Sequence, residues 1–147
     1  MRRAFLEKRG RCWHDEGRRE RSMYREYNRN PRGKRVGDCV IRAVSRATGK
    51  TWEETYAGIC AAGYELCDMP SANAVWGAYL RRQGFRRHML PDTCPDCYTV
   101  ETFCREHPSG VYVLAISGHV VCAVDGDWWD SWDSGQETPV YYWQKED

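Results

Sequence analysis

No run of eighteen apolar residues occurs anywhere along the chain, so nothing in it reads as a membrane-spanning helix. The opening Met-Arg-Arg-Ala-Phe-Leu-Glu-Lys is basic but lacks the apolar core of a secretory signal. There is no internal repeat and no low-complexity tract, which sets aside solenoids and biased linkers. No nucleic-acid-binding motif stands in the sequence. Phenylalanine is scarce, with three copies, yet seven Trp and nine Tyr supply large side chains for a core. A length of 147 residues suits one domain able to bury such a core.

Cysteine, by contrast, is plentiful, with eight copies at positions 12, 39, 60, 67, 94, 97, 104 and 122. With no secretory signal, and with apolar helices and strands available to build a core, reduced thiols in a cytoplasmic setting are expected. The near-neutral total hides an asymmetry. Residues 1–35 hold thirteen Lys or Arg against five Asp or Glu, a balance of +8, whereas residues 36–147 hold nine against sixteen, a balance of −7. The division expected is a basic, partly helical arm over 1–27 and a folded domain over 28–147. Such an arm can bind a polyanion such as nucleic acid, or it can lie against the chain's own acidic body; the absence of a motif favours the latter.

Local signals order the domain. Val40, Ala43, Val44 and Ala47 recur at helical spacing, so a helix is expected from Asp38 or Cys39 to Thr48, capped by Asp38 and stopped by Gly49. Thr51-Trp52-Glu53-Glu54 is a capping box and starts a second helix. Ser71 should cap a third, with Ala74, Val75, Ala78, Tyr79 and Leu80 facing inward. Phe85 to Leu90 reads as an edge strand, and Thr99 caps a short helix to about Glu106. The apolar period then changes to that of strands over 111–116, 119–124, 127–131 and 140–144, with Asp125-Gly126 as a hairpin turn. Helices first and antiparallel strands after them read as an α+β fold.

Cys39 is placed in the first turn of its helix, where free N–H groups and the helix dipole favour an anion. A thiol held there ionises more easily, and the thiolate is the nucleophile. Pairing across a two-residue Asp125-Gly126 turn sets Val121 opposite Asp130 and His119 opposite Trp132. Strict alternation then puts Asp130 within reach of His119 and turns Asp133 to the other face, unless a bulge intervenes. A carboxylate beside an imidazole fixes its tautomer and stabilises the imidazolium.

Cysteine at a helix start, then histidine opening a strand, then an acid on the next strand, is the order found in papain-like cysteine peptidases. Gly37-Asp38-Cys39 resembles their nucleophile segment, Gly118-His119-Val120-Val121 their histidine strand, and Asp130-Ser131-Trp132 their Asn-Ser-Trp segment with aspartate for asparagine. Bacterial relatives that process peptides, such as bacteriocin leader peptidases, are similar in using aspartate there. The resemblance spans roughly residues 28–145. It implies helices packed on a C-terminal antiparallel sheet, a Cys39–His119–Asp130 triad that needs no cofactor, and a peptide or protein substrate. Papain-like enzymes carry a glutamine about six residues before the cysteine as an oxyanion donor. Gly33 stands there in this chain, so Asn30 or Asn28 is expected to supply the amide. Transglutaminase-like domains share the same order of residues, which leaves acyl transfer open beside amide hydrolysis. A non-catalytic binding protein on the same scaffold, with the basic arm for an acidic partner, is the remaining alternative.

Cys94, Cys97, Cys104 and His107 form a competing cluster with spacing C-x2-C-x6-C-x2-H, which could hold a structural zinc. Only its first pair has the favoured loop spacing, so no metal is expected. No strand leads into Cys94-Pro95-Asp96-Cys97, which argues against a redox motif of thioredoxin type. His88 and His107 otherwise read as surface residues, and Trp128, Trp129 and Trp132 as core and cleft wall.

Overall fold

A computed structural model describes residues 21–93 and 96–147. Among them are four helices, α1 (Cys39–Thr48), α2 (Trp52–Leu66), α3 (Asn73–Arg82) and α4 (Val100–Glu106). Six strands, β1 (Tyr24–Glu26), β2 (Phe85–Met89), β3 (Val111–Ile116), β4 (His119–Val124), β5 (Asp127–Asp130) and β6 (Pro139–Lys145), form one sheet in the order β1-β5-β4-β3-β6-β2. The fold is α+β. None of the described helices is long and apolar enough to cross a membrane.

Alternation along the strands divides the core between the two faces of the sheet. Val113, Ala115, Val120, Cys122 and Trp143 meet Val44 of α1, Ile59 of α2 and Trp76 and Leu80 of α3 on one face. Tyr112, Leu114, Val121, Ala123 and Trp128 meet Val100, Phe103 and Cys104 of α4 on the other. Ile59, Leu80, Leu114 and Val121 are wholly buried, each worth about 1.5–3 kcal/mol of apolar transfer.

Helix boundaries follow the local chemistry in most places. Gly49 adopts φ 71° and closes α1 by donating its N–H to the Ser45 carbonyl. Thr51 accepts from the Glu54 N–H, and Glu54 accepts in return from the Thr51 N–H, so the capping box is complete. In the β4–β5 hairpin, Asp125 and Gly126 both take positive φ, as a two-residue turn of the twist-compatible kind requires. Its pairs run Val124 with Asp127, Ala123 with Trp128 and Cys122 with Trp129.

Several expectations about the elements need correction. Asp38 occupies the cap position of α1, but its side chain makes no capping bond, because buried cationic and indole donors take it instead. The cap of α3 is Ala72, not Ser71, and Ala74 of that helix is exposed. Residues 24–26, expected in a partly helical arm, form β1, which pairs parallel to β5 with Tyr24 opposite Trp128 and Glu26 opposite Asp130. The sheet is therefore mixed, not purely antiparallel. Tyr27 also belongs to the core, being 8% exposed. The rest of the expected arm, residues 1–20, lies outside the described residues.

Candidate active site

The N-terminus of α1 meets the sheet where β4 begins and β5 ends. Cys39 is the first residue of α1, His119 the first of β4 and Asp130 the last of β5. The hairpin turn fixes the register of the last two, so its far end holds both side chains together. His119 Nε2 lies 2.6 Å from Asp130 Oδ2. With Nε2 so engaged, Nδ1 is the ring nitrogen left for the thiol, and Cys39 and His119 are close enough for each to shift the other's ionisation. The ring of Trp132 covers the imidazole at a centroid separation of 4.9 Å. Asp133 faces elsewhere, accepting from Trp128 Nε1 at 2.9 Å and from the Gly135 N–H at 3.0 Å.

A buried ionic relay extends behind this pair. Asp130 is fully buried and accepts at four points: from His119, from Ser134 Oγ at 2.7 Å, from the Ser131 N–H at 2.7 Å and from Arg42 Nη2 at 2.8 Å. Arg42, one turn after Cys39 on α1, also donates through Nη1 to Asp38 at 2.6 Å, and Trp52 Nε1 donates to the second Asp38 oxygen at 2.9 Å. Two carboxylates thus share one guanidinium. The remaining negative charge favours a positive imidazole.

The protonation states follow from these contacts. Burial pushes the His119 imidazolium pKa down, but its hydrogen bonds to Asp130 and Cys39, and their charge, outweigh it, carrying the value up to about 9. Burial pushes the Cys39 thiol up, yet the His119 hydrogen bond and charge, with a backbone bond from Val120 and the Arg42 charge, bring it below the ordinary range. Asp130 is likewise held below the usual carboxylate range: burial opposes ionisation, and His119, Ser134 and Arg42 outweigh it. Elsewhere burial prevails, at Cys122 over the opposing Arg46 charge. It lifts Cys104 to about 12 and raises Cys122 further, so Cys39 contrasts with both.

Beside Cys39 and His119 opens a cleft of about 630 Å3. One wall comes from the helices, with Tyr56, Cys60, Asn73 and Trp76, and the other from the sheet, with Val140 and Tyr141. Gly37 to Ile41 border it, so the first-turn N–H groups of α1, left uncapped by Asp38, lie at its edge. Asn28 and Asn30 do not line it. Asn28 accepts from the Asn30 N–H and donates to the Lys34 carbonyl, and Asn30 accepts from the Arg32 and Lys34 N–H groups. Both amides build their own turn, which corrects the expectation that one of them faces the reacting carbonyl.

The second cluster is not assembled among the described residues. Cys94 lies outside them, Cys97 is exposed, and Cys104 is buried in the α4 core. His107 bonds through Nδ1 to the Phe103 carbonyl at 2.8 Å and stacks on the Phe103 ring. No group of three potential ligand residues occurs among the described residues. His88 and His107 are both half-buried against aromatic rings rather than free on the surface. Trp128 belongs to the core, as expected, whereas Trp129 lies against α1 and Trp132 against His119.

Arg42 and Ser134 escape a reading by motif. The signal for Arg42 is its position, four residues after Asp38 and between Ile41 and Ala43 on the inward side of an amphipathic helix. No protein-family model, no curated protein and no solved structure matches this chain.

Proposed function

We propose that this protein is a papain-like cysteine hydrolase of amide bonds, with Cys39 as nucleophile, His119 as acid and base, and Asp130 as the carboxylate that orients His119. The observation that carries this reading is the use of the two ring nitrogens. Asp130 holds Nε2 at 2.6 Å, which leaves Nδ1 for the neighbouring Cys39 thiol, whose pKa is depressed.

In the first half-reaction the Cys39 thiolate attacks the substrate carbonyl carbon, and the carbonyl oxygen takes the negative charge. First-turn N–H groups of α1 beside the cleft are the donors for that oxyanion. The imidazolium of His119 gives its proton to the departing amine as the C–N bond breaks, leaving a thioester on Cys39. In the second half-reaction His119, now neutral, takes a proton from water as the water oxygen attacks the thioester. The thiolate departs, the acid product leaves, and the imidazolium is restored. Arg42 and Ser134 act one step back, holding the Asp130 carboxylate ionised and fixed. The cytoplasm, where thiols stay reduced, suits this chemistry.

The test is the pH dependence of alkylation. With limiting iodoacetamide, peptide mapping should find Cys39 modified first, at a rate that stays high well below the titration range of an ordinary thiol. A Cys39 rate no faster than that of a model thiol at every pH would sink the proposal.

A further inference from the structure

At the opposite end of α1 lies a second, smaller cavity of about 300 Å3, lined by Tyr27, Arg29, Ser45, Arg46, Lys50 and Trp129. Ten helical residues put it about 15 Å from Cys39 along the axis. Its side chains include three cations and no carboxylate. Among the described residues none of the three cations is in an ion pair.

The cations are held in place by rings rather than by acids. Arg46 lies 4.2 Å from the Trp129 ring centre, Arg29 5.0 Å from that of Tyr27, and Lys50 5.7 Å from that of Tyr79. Stacking of this kind orients a guanidinium while leaving its N–H groups available. The cavity walls are braced as well: Tyr27 and Ser45 share a hydroxyl bond at 3.2 Å, and Ser45 Oγ donates to the Lys50 carbonyl at 2.9 Å. Trp129 contributes its ring, over which the Arg46 guanidinium sits. A cationic Arg46 in the last turn complements the helix dipole, but that accounts for one cation and not for Arg29 and Lys50 beside it.

Guanidinium forks and an ammonium are donors only. Their complement is a compact group with several acceptor oxygens and more than one negative charge. The volume exceeds that of the anion alone, and the aromatic walls leave room for an organic substituent. We propose that this cavity is a binding site for a phosphate monoester, independent of the chemistry at Cys39.

Isothermal calorimetry on the full chain at fixed ionic strength tests this, with inorganic phosphate, adenosine 5′-monophosphate and O-phosphoserine as probes. Saturable binding of the phosphate monoesters is expected, and Arg29→Gln or Lys50→Gln should weaken it about tenfold each, the loss of one charge-assisted contact. Both residues are exposed, so the folded core should survive, as near-ultraviolet circular dichroism would verify. Cys39→Ala should bind as the parent does. Equal binding of the nucleotide and the phospho-amino acid assigns recognition to the phosphate; preference for the nucleotide assigns a share to the rings. Absence of saturable heat with both monoesters, or binding unchanged in both charge variants, overturns the proposal.

Discussion

Asp130 is the residue on which the site turns, because one carboxylate serves His119, Arg42 and Ser134 together. Asp130→Ala should slow alkylation of Cys39 near neutral pH and cut turnover by about two orders of magnitude, since the imidazole loses both its orientation and its counter-charge. Asp133→Ala removes the partner of the Trp128 indole and should cost about 1–3 kcal/mol in denaturant melts, with little change in alkylation. A result in which Asp133→Ala is the variant that loses reactivity would contradict the assignment. The choice between the two aspartates was legible in the sequence, because side chains alternate along a strand and a two-residue turn counts residues across the hairpin. Arg42 was not legible as a partner, since nothing local says that a charged residue on an apolar helix face will find two buried acids. His119 also makes a stability prediction. Its folded pKa of about 9 lies above the ordinary 6.5, so the stabilisation from the protonated ring is fully present below about 6.5 and is lost as pH rises through about 9. The melting-temperature gap between the parent and His119→Ala should thus be wide near about pH 6 and shrink by about pH 10. Turnover should fall through the same upper range as the acid is lost, while alkylation, which needs only the thiolate, persists.

Among the elements, those governed by short-range chemistry were the legible ones. Gly49 closing α1, the Thr51–Glu54 box opening α2, and the Asp125-Gly126 turn all act within four residues of the atoms they bond. The turn is the most consequential, because its register delivers His119 and Asp130 to one place. Gly126 takes φ 86°, a conformation that costs a residue bearing a Cβ about 1–2 kcal/mol, while an added Cβ would meet only ordinary contacts. Gly126→Ala should therefore lower stability by about that amount and leave Cys39 alkylation near the parent rate; a parent-like melting temperature would show that the turn carries no such strain. Where the partner is distant in sequence, local reading fails. β1 is a strand because β5, more than a hundred residues later, offers it an unpaired edge, and three residues of Tyr-Arg-Glu carry no pattern of their own. Asp38 is a good cap by type, but Arg42 and Trp52 compete for its carboxylate and win, since a buried ion pair left broken costs several times what a cap contributes.

At the scale of the whole molecule, the sheet is a floor with helices on both faces, and the cleft lies where the α1–α3 layer meets the start of β4. The site is assembled from parts about ninety residues apart, which is why a chain read in order names its members more readily than its supports. One of those supports comes from before α1. The Tyr27 N–H donates to the Asp130 carbonyl at 2.8 Å, the Tyr24 hydroxyl reaches the same oxygen at 3.2 Å, and Tyr27 is packed edge-on to Trp129. The backbone that presents Asp130 is thereby clamped between β4 and β1. The boundary at residue 27 drawn from composition cuts through this clamp, since basic residues continue into a segment that the sheet has recruited. Two truncations separate charge from structure. Removal of residues 1–20 leaves every described contact of Cys39, His119 and Asp130 in place, so the melting temperature and Cys39 alkylation should stay near those of the full chain. Removal of residues 1–27 takes away β1 and the Tyr27 contacts. The melting temperature should drop by several degrees, and Cys39 should alkylate more slowly near neutral pH, because an Asp130 freed from its backbone clamp holds His119 less firmly. If the longer truncation keeps the parent rate and stability, β1 is an ornament on the edge of the sheet and Asp130 is positioned by Arg42, Ser134 and the hairpin alone.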